Sequence, residues 1–351
     1  MSKINKLLQV LVSDQNNTAD IYKPGTYWKK HSLAAIRELK ENELNDFRSS
    51  NDINTAATSF GDNTPIDVRR SIETSSIKNK LGLAILNHTS LKKFFDYQVH
   101  VTRLLHDKLI DFEKNKLALT KFDRTSELIE NYKIEDSINF GCDKISKFKD
   151  KDYATYYLEI LDILDFVERN SSLKGINSLL EIGPGFGTNI HLIEQNYPKI
   201  RKFIVVDIVP NVWVATEYLR SIYGNCVKDY LVTKEMKEIK FKDDMSLEIF
   251  VIPAWEIEKI SSSIDCFWNS NSFIEMTPDI IKNYAKHLSR IRTNSSVYNF
   301  ISYDKFDLNT TFHPDLIPNY FADVEFQKSR YPSLVKDGHN NYFYFGKPTH
   351  T

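Results

Sequence analysis

A run of glycines directly after a buried strand constrains this chain more than any other feature of its sequence. The segment Leu179–Asn189 reads LLEIGPGFGTN, an apolar strand that leads into Gly183, Gly185 and Gly187. Glycine permits a positive φ and, because it has no Cβ, lets a ligand touch the backbone. The helix predicted after the loop presents its N-terminal end to the same place. The pattern predicts a strand–loop–helix unit with a ligand at the loop.

An acidic residue at the end of the next strand supports this interpretation. Asp207 follows the apolar run Phe203–Val206, after the glycines and their helix. A carboxylate at this position accepts the hydroxyl hydrogens of a ribose in nucleotide-binding folds. The alternative is a tight turn without a ligand. A lone glycine pair would fit that alternative, but the ordered series of strand, glycines, helix, strand and acid favours a binding site.

The second half of the chain alternates between strand and helix patterns. The predicted strands are Ser178–Ile182, Phe203–Ile208, Leu247–Ile252, Ile264–Trp268, Ser296–Ser302 and Asn341–Phe345. The predicted helices are Tyr153–Asn170, Asn189–Gln195, Val212–Tyr223 and Pro278–Ile291. This alternation predicts an α/β fold with a mostly parallel sheet covered on both faces. The last strand follows a loop rather than a helix, which favours an antiparallel strand at the sheet edge.

The first 150 residues have a different character. They are rich in Asn, Asp, Ser and Lys, and Asn51–Asp67 is polar and turn-rich, which predicts a loop. Helix-like patterns lie at Ser32–Phe47, Ser76–Asn87, Leu91–Phe112 and Ser126–Tyr132. We therefore divide the chain into an N-terminal helical cap or acceptor platform, residues 1–150, and a Rossmann-like domain, residues 151–351.

Composition and charge limit the partners and the location. The 351 residues carry a formal net charge of −1, so no basic field points to nucleic acid or an anionic membrane. Cys142, Cys226 and Cys266 are widely spaced, which is typical of reduced thiols. The apolar run Leu7–Val12 is too short for a signal-peptide core, and no stretch approaches the roughly 20 apolar residues of a membrane helix. We expect a cytoplasmic protein without membrane insertion.

The spacing of the loop narrows the class of ligand. The glycines follow the pattern G-x-G-x-G, whereas dinucleotide folds use G-x-G-x-x-G to receive a pyrophosphate. Glu181 precedes the first glycine by two residues, and its carboxylate would repel a pyrophosphate but attract an ammonium or a sulfonium. The loop therefore favours a cationic ligand without phosphate.

The pattern E-x-G-x-G-x-G with a strand-end Asp resembles motif I and the following acidic position of class I S-adenosylmethionine-dependent methyltransferases. Three further segments, 22–28 (YKPGTYW), 208–220 and 265–278 (DCFWNSNSFIEMTP), are similar to a family of sugar O-methyltransferases found in bacterial surface-polysaccharide gene sets. The likeness covers nearly the whole chain, and Ser272–Pro278 is its most specific part. Pro184 and Asn189 depart from the family pattern.

This resemblance implies a Rossmann-like class I methyltransferase sheet, S-adenosyl-L-methionine as cofactor, and O-methylation of a sugar in capsule or O-antigen biosynthesis. The cofactor-binding residues it implies are Glu181, Gly183, Gly185, Gly187, Asp207, Ile208, Ala254, Trp255 and Asn269. In such a fold Trp255, or Ala254 through its backbone, covers the adenine. The alternative for Trp255 is a packing role in the core or at the surface.

The candidates for methyl transfer follow the later strands. Glu275 and Asn271 come just after the fourth strand, where Glu275 serves as general base or orients a hydroxyl and Asn271 binds another. His339 precedes the last strand and has the intrinsic pKa of a general base. Alternatives remain open, because Glu275 could cap the helix at Pro278 and His339 could be exposed. Aromatic residues predicted to bind the acceptor sugar are Tyr22, Tyr27, Trp28 and Tyr303.

Other functions and partners were weighed against this one. A nicotinamide-dependent sugar oxidoreductase is disfavoured by the loop spacing and by Glu181, and a non-catalytic cofactor-binding protein stays open. We expect no obligatory metal, because Asp243–Asp244 lies in a polar turn rather than in a cluster of oxygen ligands. The expected partner is a carbohydrate or nucleotide-sugar acceptor, with no nucleic acid, and a homodimer is left open.

Overall fold

The computed structural model describes residues 6–25, 28–29, 32–33, 35–36, 44, 122–135, 140, 146–148, 151–153, 155–304, 313–332 and 340–349. The helices in these ranges are α1 Lys6–Asn17, α2 Phe122–Asn131, α3 Thr155–Ser171, α4 Thr188–Asn196, α5 Asn211–Tyr223, α6 Tyr230–Thr233, α7 Pro278–Ile291 and α8 Ile317–Tyr320. The strands are β1 Ser146–Phe148, β2 Lys151–Tyr153, β3 Ser178–Ile182, β4 Lys202–Asp207, β5 Val227–Lys228, β6 Glu248–Pro253, β7 Ile264–Ser270, β8 Arg292–Tyr303, β9 Val324–Tyr331 and β10 Asn341–Pro348. Short 3₁₀ turns at Asp20–Tyr22, Ala254–Lys259 and Phe273–Glu275 bear on the site.

An eight-stranded sheet organises the described part of the chain. Its strand order is β5-β6-β4-β3-β7-β8-β10-β9. The pairs from β5 to β8 are parallel. The chain therefore starts at the centre of the sheet with β3, builds outward to one side, and returns to build the other side. Since β3 lies where the winding reverses, the carboxyl ends of β3, β4 and β7 enclose a crevice in which ligands of such sheets bind.

The far side of the sheet refines the sequence prediction. Strand β10 is antiparallel, as expected, but it lies between β8 and β9 rather than at the edge. The edge strand is β9, which the sequence analysis did not predict. Its central residues are exposed on both faces and include Lys328 and Arg330, so it lacks the apolar alternation that reveals a half-buried strand.

Two apolar layers cover the sheet. Successive residues of β3 and β4 alternate between them, with Leu179 and Phe203 in one layer and Leu180 and Ile204 in the other. The first layer includes side chains of α1, α2, α3, α4 and α5, and the second includes side chains of α7 and α8. Strands buried on both faces read as continuous apolar runs, which is why the sequence predicted them closely.

Most elements of the α/β half agree with their predictions within a few residues. Strand β3 and helix α7 have the predicted bounds, and Gly224 ends α5 as its C-cap with φ 54°. In the N-terminal part the helix predicted at Ser126–Tyr132 is α2, and α1 was not predicted. The patterns predicted at 51–67, 76–87 and 91–112 lie outside the described residues. Within the described part of the chain, no helix combines the length and apolar character needed to cross a membrane.

Candidate functional site

The glycine loop follows β3 with the backbone conformations that its sequence predicts. Gly183, Gly185 and Gly187 have φ of 69°, 62° and 96°, a region that other residues avoid. A Cβ at Gly183 would lie 2.3 Å from Oγ of Ser272, in the loop after β7. Position 183 therefore needs glycine both for its backbone angle and for the close approach of a second loop.

The amide groups of the loop are bonded inward. The Gly183 amide donates to the carbonyl of Val206 at 2.9 Å, and the Gly187 amide donates to the carbonyl of Pro184 at 3.1 Å. The Gly185 amide donates to Oδ2 of Asp207 at 3.2 Å. Phosphate-binding loops point such amides at the ligand. This loop uses them to hold its own shape and to orient Asp207.

Two carboxylates lie beside the loop in buried positions. Asp207 accepts hydrogen bonds from the amides of Gly185 and Ile208 and lies within 3.4 Å of the side-chain nitrogen of Asn211. Glu181 accepts a hydrogen bond from Asn189. Burial raises the pKa of Asp207 to about 7 and that of Glu181 to about 8, and the nearby Asp207 charge adds to the shift of Glu181.

Some polar atoms at these acids have no hydrogen-bond partner among the described residues. They are Oε2 of Glu181 and Oδ1 of Asn211, both buried and both on residues that line the cavity. A buried acceptor without a donor costs about 1–3 kcal/mol, which a ligand donor would recover. A ligand that supplies hydrogen-bond donors would therefore suit this end of the cavity.

A cavity of about 350 Å³ joins the loop to the end of β7. This volume lies within the usual range of small-molecule sites. The polar and charged residues of its lining are Tyr22, Lys23, Trp28, Tyr156, Glu159, Glu181, Asn189, Asp207, Asn211, Ser270, Asn271, Ser272, Glu275, Tyr284 and Tyr303. Apolar walls come from Ile21, Ile160, Ile163, Val206, Ile208, Met276 and Ile280.

The predicted reaction residues meet at the end of the cavity away from Asp207. Nε1 of Trp28 donates to Oε2 of Glu275 at 3.0 Å, and the hydroxyl of Tyr303 lies 3.5 Å from Oε1 of the same carboxylate. Asn271 lines the cavity beside them with φ 62°, uncommon for a residue other than glycine. Its backbone amide donates to the carbonyl of Ile301 at 2.8 Å, which fixes the strained residue in place.

The N-terminal segment forms one wall of the cavity. The hydroxyl of Tyr22 donates to the carboxylate of Glu258 and lies 3.3 Å from Nε2 of His287. Burial and the hydrogen bond to Glu258 raise the pKa of Tyr22 to about 12. Asp20–Gly25 and Trp28 thus lie across the site, and Tyr22 joins this segment to α7 and to the turn after β6.

Other predicted site residues lie near the cavity without lining it. Trp255 donates from Nε1 to the hydroxyl of Tyr230 at 3.3 Å and packs edge-on against its ring. The buried side chain of Asn269 donates to the carbonyl of Ile182 at 2.8 Å and so joins the ends of β3 and β7. Gly187 and Ala254 are also outside the described lining. Their roles toward a cofactor stay predictions, and Tyr27 and His339 lie outside the described residues.

The sequence analysis missed several residues of the lining. Asn189 and Asn211 each contact one of the buried acids, from the first turns of α4 and α5. Their signal was an asparagine in the first turn of the helix that follows each acid, which becomes specific only when the contact is seen. Ser272 and Tyr284 were missed because their approach to the cavity depends on how the loop after β7 and helix α7 pack against the sheet. Among the described residues, no group of three or more His, Cys, Asp or Glu is placed to hold a metal ion.

Comparisons with known proteins were made for the whole chain. No protein-family model matches the sequence, and no curated protein matches it either. The PH0226 protein from Pyrococcus horikoshii OT3 is 14% identical over 56% of this chain and 92% of that chain, with a TM-score of 0.40. An S-adenosylmethionine-dependent methyltransferase from Clostridium acetobutylicum ATCC 824 is 13% identical over 55% and 92%, with a TM-score of 0.38.

A third similar structure is the 1,6-didemethyltoxoflavin-N1-methyltransferase of Burkholderia thailandensis, solved with S-adenosylhomocysteine. It is 13% identical over 55% of this chain and 79% of that chain, with a TM-score of 0.38. Likenesses this distant establish no cofactor or activity. The Rossmann-like fold stands on the strand order of the sheet, and the resemblance to sugar O-methyltransferases rests on the quoted motifs alone.

Proposed function

We propose that this chain is an S-adenosylmethionine-dependent methyltransferase. The main support is the inward bonding of the glycine-loop amides beside two buried carboxylates that face one cavity. A wall of this kind offers no amide cradle for phosphate and attracts positive charge. S-adenosylmethionine has the complementary chemistry, since it joins an ammonium and a sulfonium to a ribose diol and carries no phosphate.

The residues beside the loop fit this cofactor. The carboxylate of Asp207 is oriented by two backbone amides and would accept hydrogen bonds from the ribose hydroxyls. Oε2 of Glu181, which has no donor among the described residues, would accept from the ammonium group. Both acids have raised pKa values because of burial, and a cationic ligand would stabilise their ionised forms.

The Glu275 end of the cavity would hold the acceptor. Bound, the cofactor supplies an electrophilic methyl group. Glu275, held by Trp28 and near Tyr303, would orient the acceptor hydroxyl and take its proton. The methyl group would pass from the sulfonium sulfur to the acceptor oxygen, and S-adenosylhomocysteine would be the leaving group. The walls from Ile21 and Met276 would exclude water from the reacting atoms. Alignment of the two reactants in one cavity can lower the barrier of such displacements by about 7–11 kcal/mol.

Within this proposal, the acceptor is a hydroxyl group of a sugar, and the enzyme acts in surface-polysaccharide synthesis. The motif resemblance supports it, and so does the chemistry of the acceptor end. Trp28 and Tyr303 lie next to a carboxylate and an amide, a combination of aromatic faces and hydrogen-bonding groups that suits sugar rings.

Ligand-induced stabilisation tests the proposal against a nicotinamide-dependent enzyme. A ligand that binds the folded chain at a hundred times its Kd stabilises it by about 2.7 kcal/mol. We expect S-adenosylhomocysteine to raise the Tm and NAD⁺ or NADH to leave it unchanged. Stabilisation by the nicotinamide cofactors alone would refute the proposal.

Two substitutions locate the binding. Asp207→Ala should abolish the response to S-adenosylhomocysteine, and Asp243→Ala, which removes an exposed aspartate, should retain it. Glu275→Gln should leave cofactor binding intact, because Glu275 lies at the acceptor end, and should stop methyl transfer. A Glu275→Gln protein with full activity would exclude Glu275 as the base.

A further inference from the structure

The acceptor end of the cavity presents hydrogen-bond acceptors to its ligand. We propose that the group that enters this end is rich in hydrogen-bond donors and carries no phosphate: a neutral sugar or an amino sugar, not the diphosphate portion of a nucleotide-sugar. This inference rests on the proposed methyltransferase function and decides between the two acceptors that the sequence leaves open, a nucleotide-linked sugar and an assembled glycan.

Asn271 gives the first argument. Its Oδ1 is buried and has no hydrogen-bond partner among the described residues. The residue lines the cavity and is fixed by its positive φ and by the bond from its amide to Ile301. A ligand hydroxyl or ammonium satisfies a carbonyl oxygen of this kind. A phosphate has only acceptor oxygens when ionised and leaves it unsatisfied.

Glu275 gives the second argument. Nε1 of Trp28 donates to its carboxylate at 3.0 Å, and the hydroxyl of Tyr303 lies 3.5 Å from the other oxygen. An ionised carboxylate only accepts hydrogen bonds, so a ligand donor suits this side chain and a phosphate oxygen does not. A phosphate placed beside this fixed negative charge would be repelled in a low-dielectric site.

The charges around the cavity give the third argument. Four carboxyl groups line it, those of Glu159, Glu181, Asp207 and Glu275. Among the lining residues that the structure describes, Lys23 has the single cationic side chain, and its Nζ lies 2.9 Å from Oδ1 of Asp20. Sites for pyrophosphate use arginines or free backbone amides. The amides of this glycine loop are already bonded within the protein.

The test compares phosphate-bearing and phosphate-free probes on the protein saturated with S-adenosylhomocysteine. The probes are UDP, UDP-glucose, the methyl glycosides of glucose, galactose, mannose and rhamnose, and glucosamine, each titrated by calorimetry into the low millimolar range. We expect at least one phosphate-free probe to bind, and UDP and UDP-glucose to bind at least roughly tenfold more weakly than that probe. Tighter binding of UDP or UDP-glucose, or no binding by any phosphate-free probe, would overturn the inference.

A matched pair of variants tests whether the probe contacts Glu275 and whether it donates from an ammonium or from hydroxyl groups. Glu275→Gln keeps the side-chain shape but removes its charge, and Glu325→Gln removes the charge of an exposed residue on the edge strand. Binding of the preferred probe should fall in the first variant and be unchanged in the second. A loss of about tenfold or more indicates an ammonium donor, and a smaller loss indicates hydroxyl donors. Equal affinities in the two variants would place the probe elsewhere and refute the assignment.

The titration of S-adenosylhomocysteine is measured first and separately. Failure of that ligand to bind would refute the proposed function. Normal binding of it together with preferential binding of UDP-glucose would leave the function standing and overturn only the inference about the acceptor.

Discussion

At Gly183 the glycine loop and the loop after β7 come into direct contact. Its φ of 69° disfavours a side chain, and a Cβ added there would overlap Ser272. We expect Gly183→Ala to lower the free energy of unfolding by about 2 kcal/mol or more and to abolish binding of S-adenosylhomocysteine, because the loop must move. Urea unfolding and calorimetry would measure the two effects.

Gly175 is the matched control for this change. It has φ +87°, and no atom lies within 4 Å of the Cβ that alanine would add. Gly175→Ala should therefore lower the free energy of unfolding by only about 1 kcal/mol, the cost of a positive φ for alanine, and should bind S-adenosylhomocysteine normally. Equal losses in the two variants would show that the contact with Ser272 has no consequence.

The buried acids predict a dependence on pH. The pKa of Asp207 is raised to about 7 and that of Glu181 to about 8, whereas both groups titrate near 4 in an unfolded chain. The folded protein binds more protons over this interval. Their contribution to stability is therefore complete below about pH 4 and is lost as the pH rises through 8.

Without ligand, we expect the wild-type protein to lose a few kcal/mol of stability between about pH 5 and pH 8 relative to Glu181→Gln, whose amide does not titrate. The affinity for S-adenosylhomocysteine should change in the opposite direction and rise over the same interval, because its ammonium prefers the ionised acids. Thermal unfolding and calorimetry at several pH values would show both trends. An affinity that falls as the pH rises would contradict the assignment of Glu181 and Asp207.

At the scale of single residues, the sequence predicted the backbone-dependent part of the site. The positions of Gly183, Gly185 and Asp207 beside the cavity could be predicted because they follow from local geometry at the ends of two strands. The partners of the acids, Asn189 and Asn211, could not, because each contact depends on how a helix packs against the sheet. The hydrogen bond from Trp28 to Glu275 joins residues far apart in the sequence and leaves no local signal.

At the scale of elements, the segment Asp20–Gly25 shows how a short piece of chain completes the cavity. Tyr22 holds it through contacts with Glu258 and His287. We expect Tyr22→Phe to remove about 1–2 kcal/mol of stabilisation, since a hydroxyl bonded to a carboxylate is lost, and to increase amide hydrogen exchange over this segment. Exchange mass spectrometry of the full chain would detect the change.

Tyr230→Phe is the control for this segment. Its hydroxyl donates to Oδ2 of Asp14 at 2.8 Å and so holds α1 rather than the cavity wall. Exchange over Asp20–Gly25 should stay at the wild-type level in this variant. An equal increase in both would mean that the loss of any buried tyrosine hydroxyl loosens the protein generally.

Three of the elements that the sequence did not reveal share a physical cause. Strand β9 is exposed over most of its length and α6 and α8 are single turns, so burial gives none of them a periodic pattern. Strand β3 and helix α7 are long enough and buried enough for the pattern to be unambiguous. A strand or helix can therefore be predicted from the sequence only where burial of its side chains gives an apolar pattern. The edge strand β9 has no such pattern, so it was not predicted.

At the scale of the whole molecule, described residues of the N-terminal part and residues of the sheet pack in one hydrophobic core. Leu8, Leu128 and Ile129 belong to the same apolar layer as Leu179 and Phe203. The division at residue 150 thus follows composition, and packing crosses it among the described residues. A charged network also crosses it, with Arg124 of α2 bonded to two carboxylates of α3.

Arg124 is the centre of that network. Arg124 donates to Asp162 at 2.9 Å and to Asp165 at 2.6 Å, and the two carboxylates are only 4% and 6% exposed. Arg124→Ala would remove the guanidinium that the two buried carboxylates share and would leave Asp165 with Arg169 alone, so we expect a loss of about 3 kcal/mol. Arg169→Ala removes a guanidinium that is 55% exposed and pairs with Asp165 and Glu127, and it should cost less than about 1 kcal/mol. Because Tyr331 of β9 also donates to Asp162, the loss should lower the midpoint of a single urea transition for the whole chain. A separate early transition in Arg124→Ala would instead show that α2 and the sheet unfold independently.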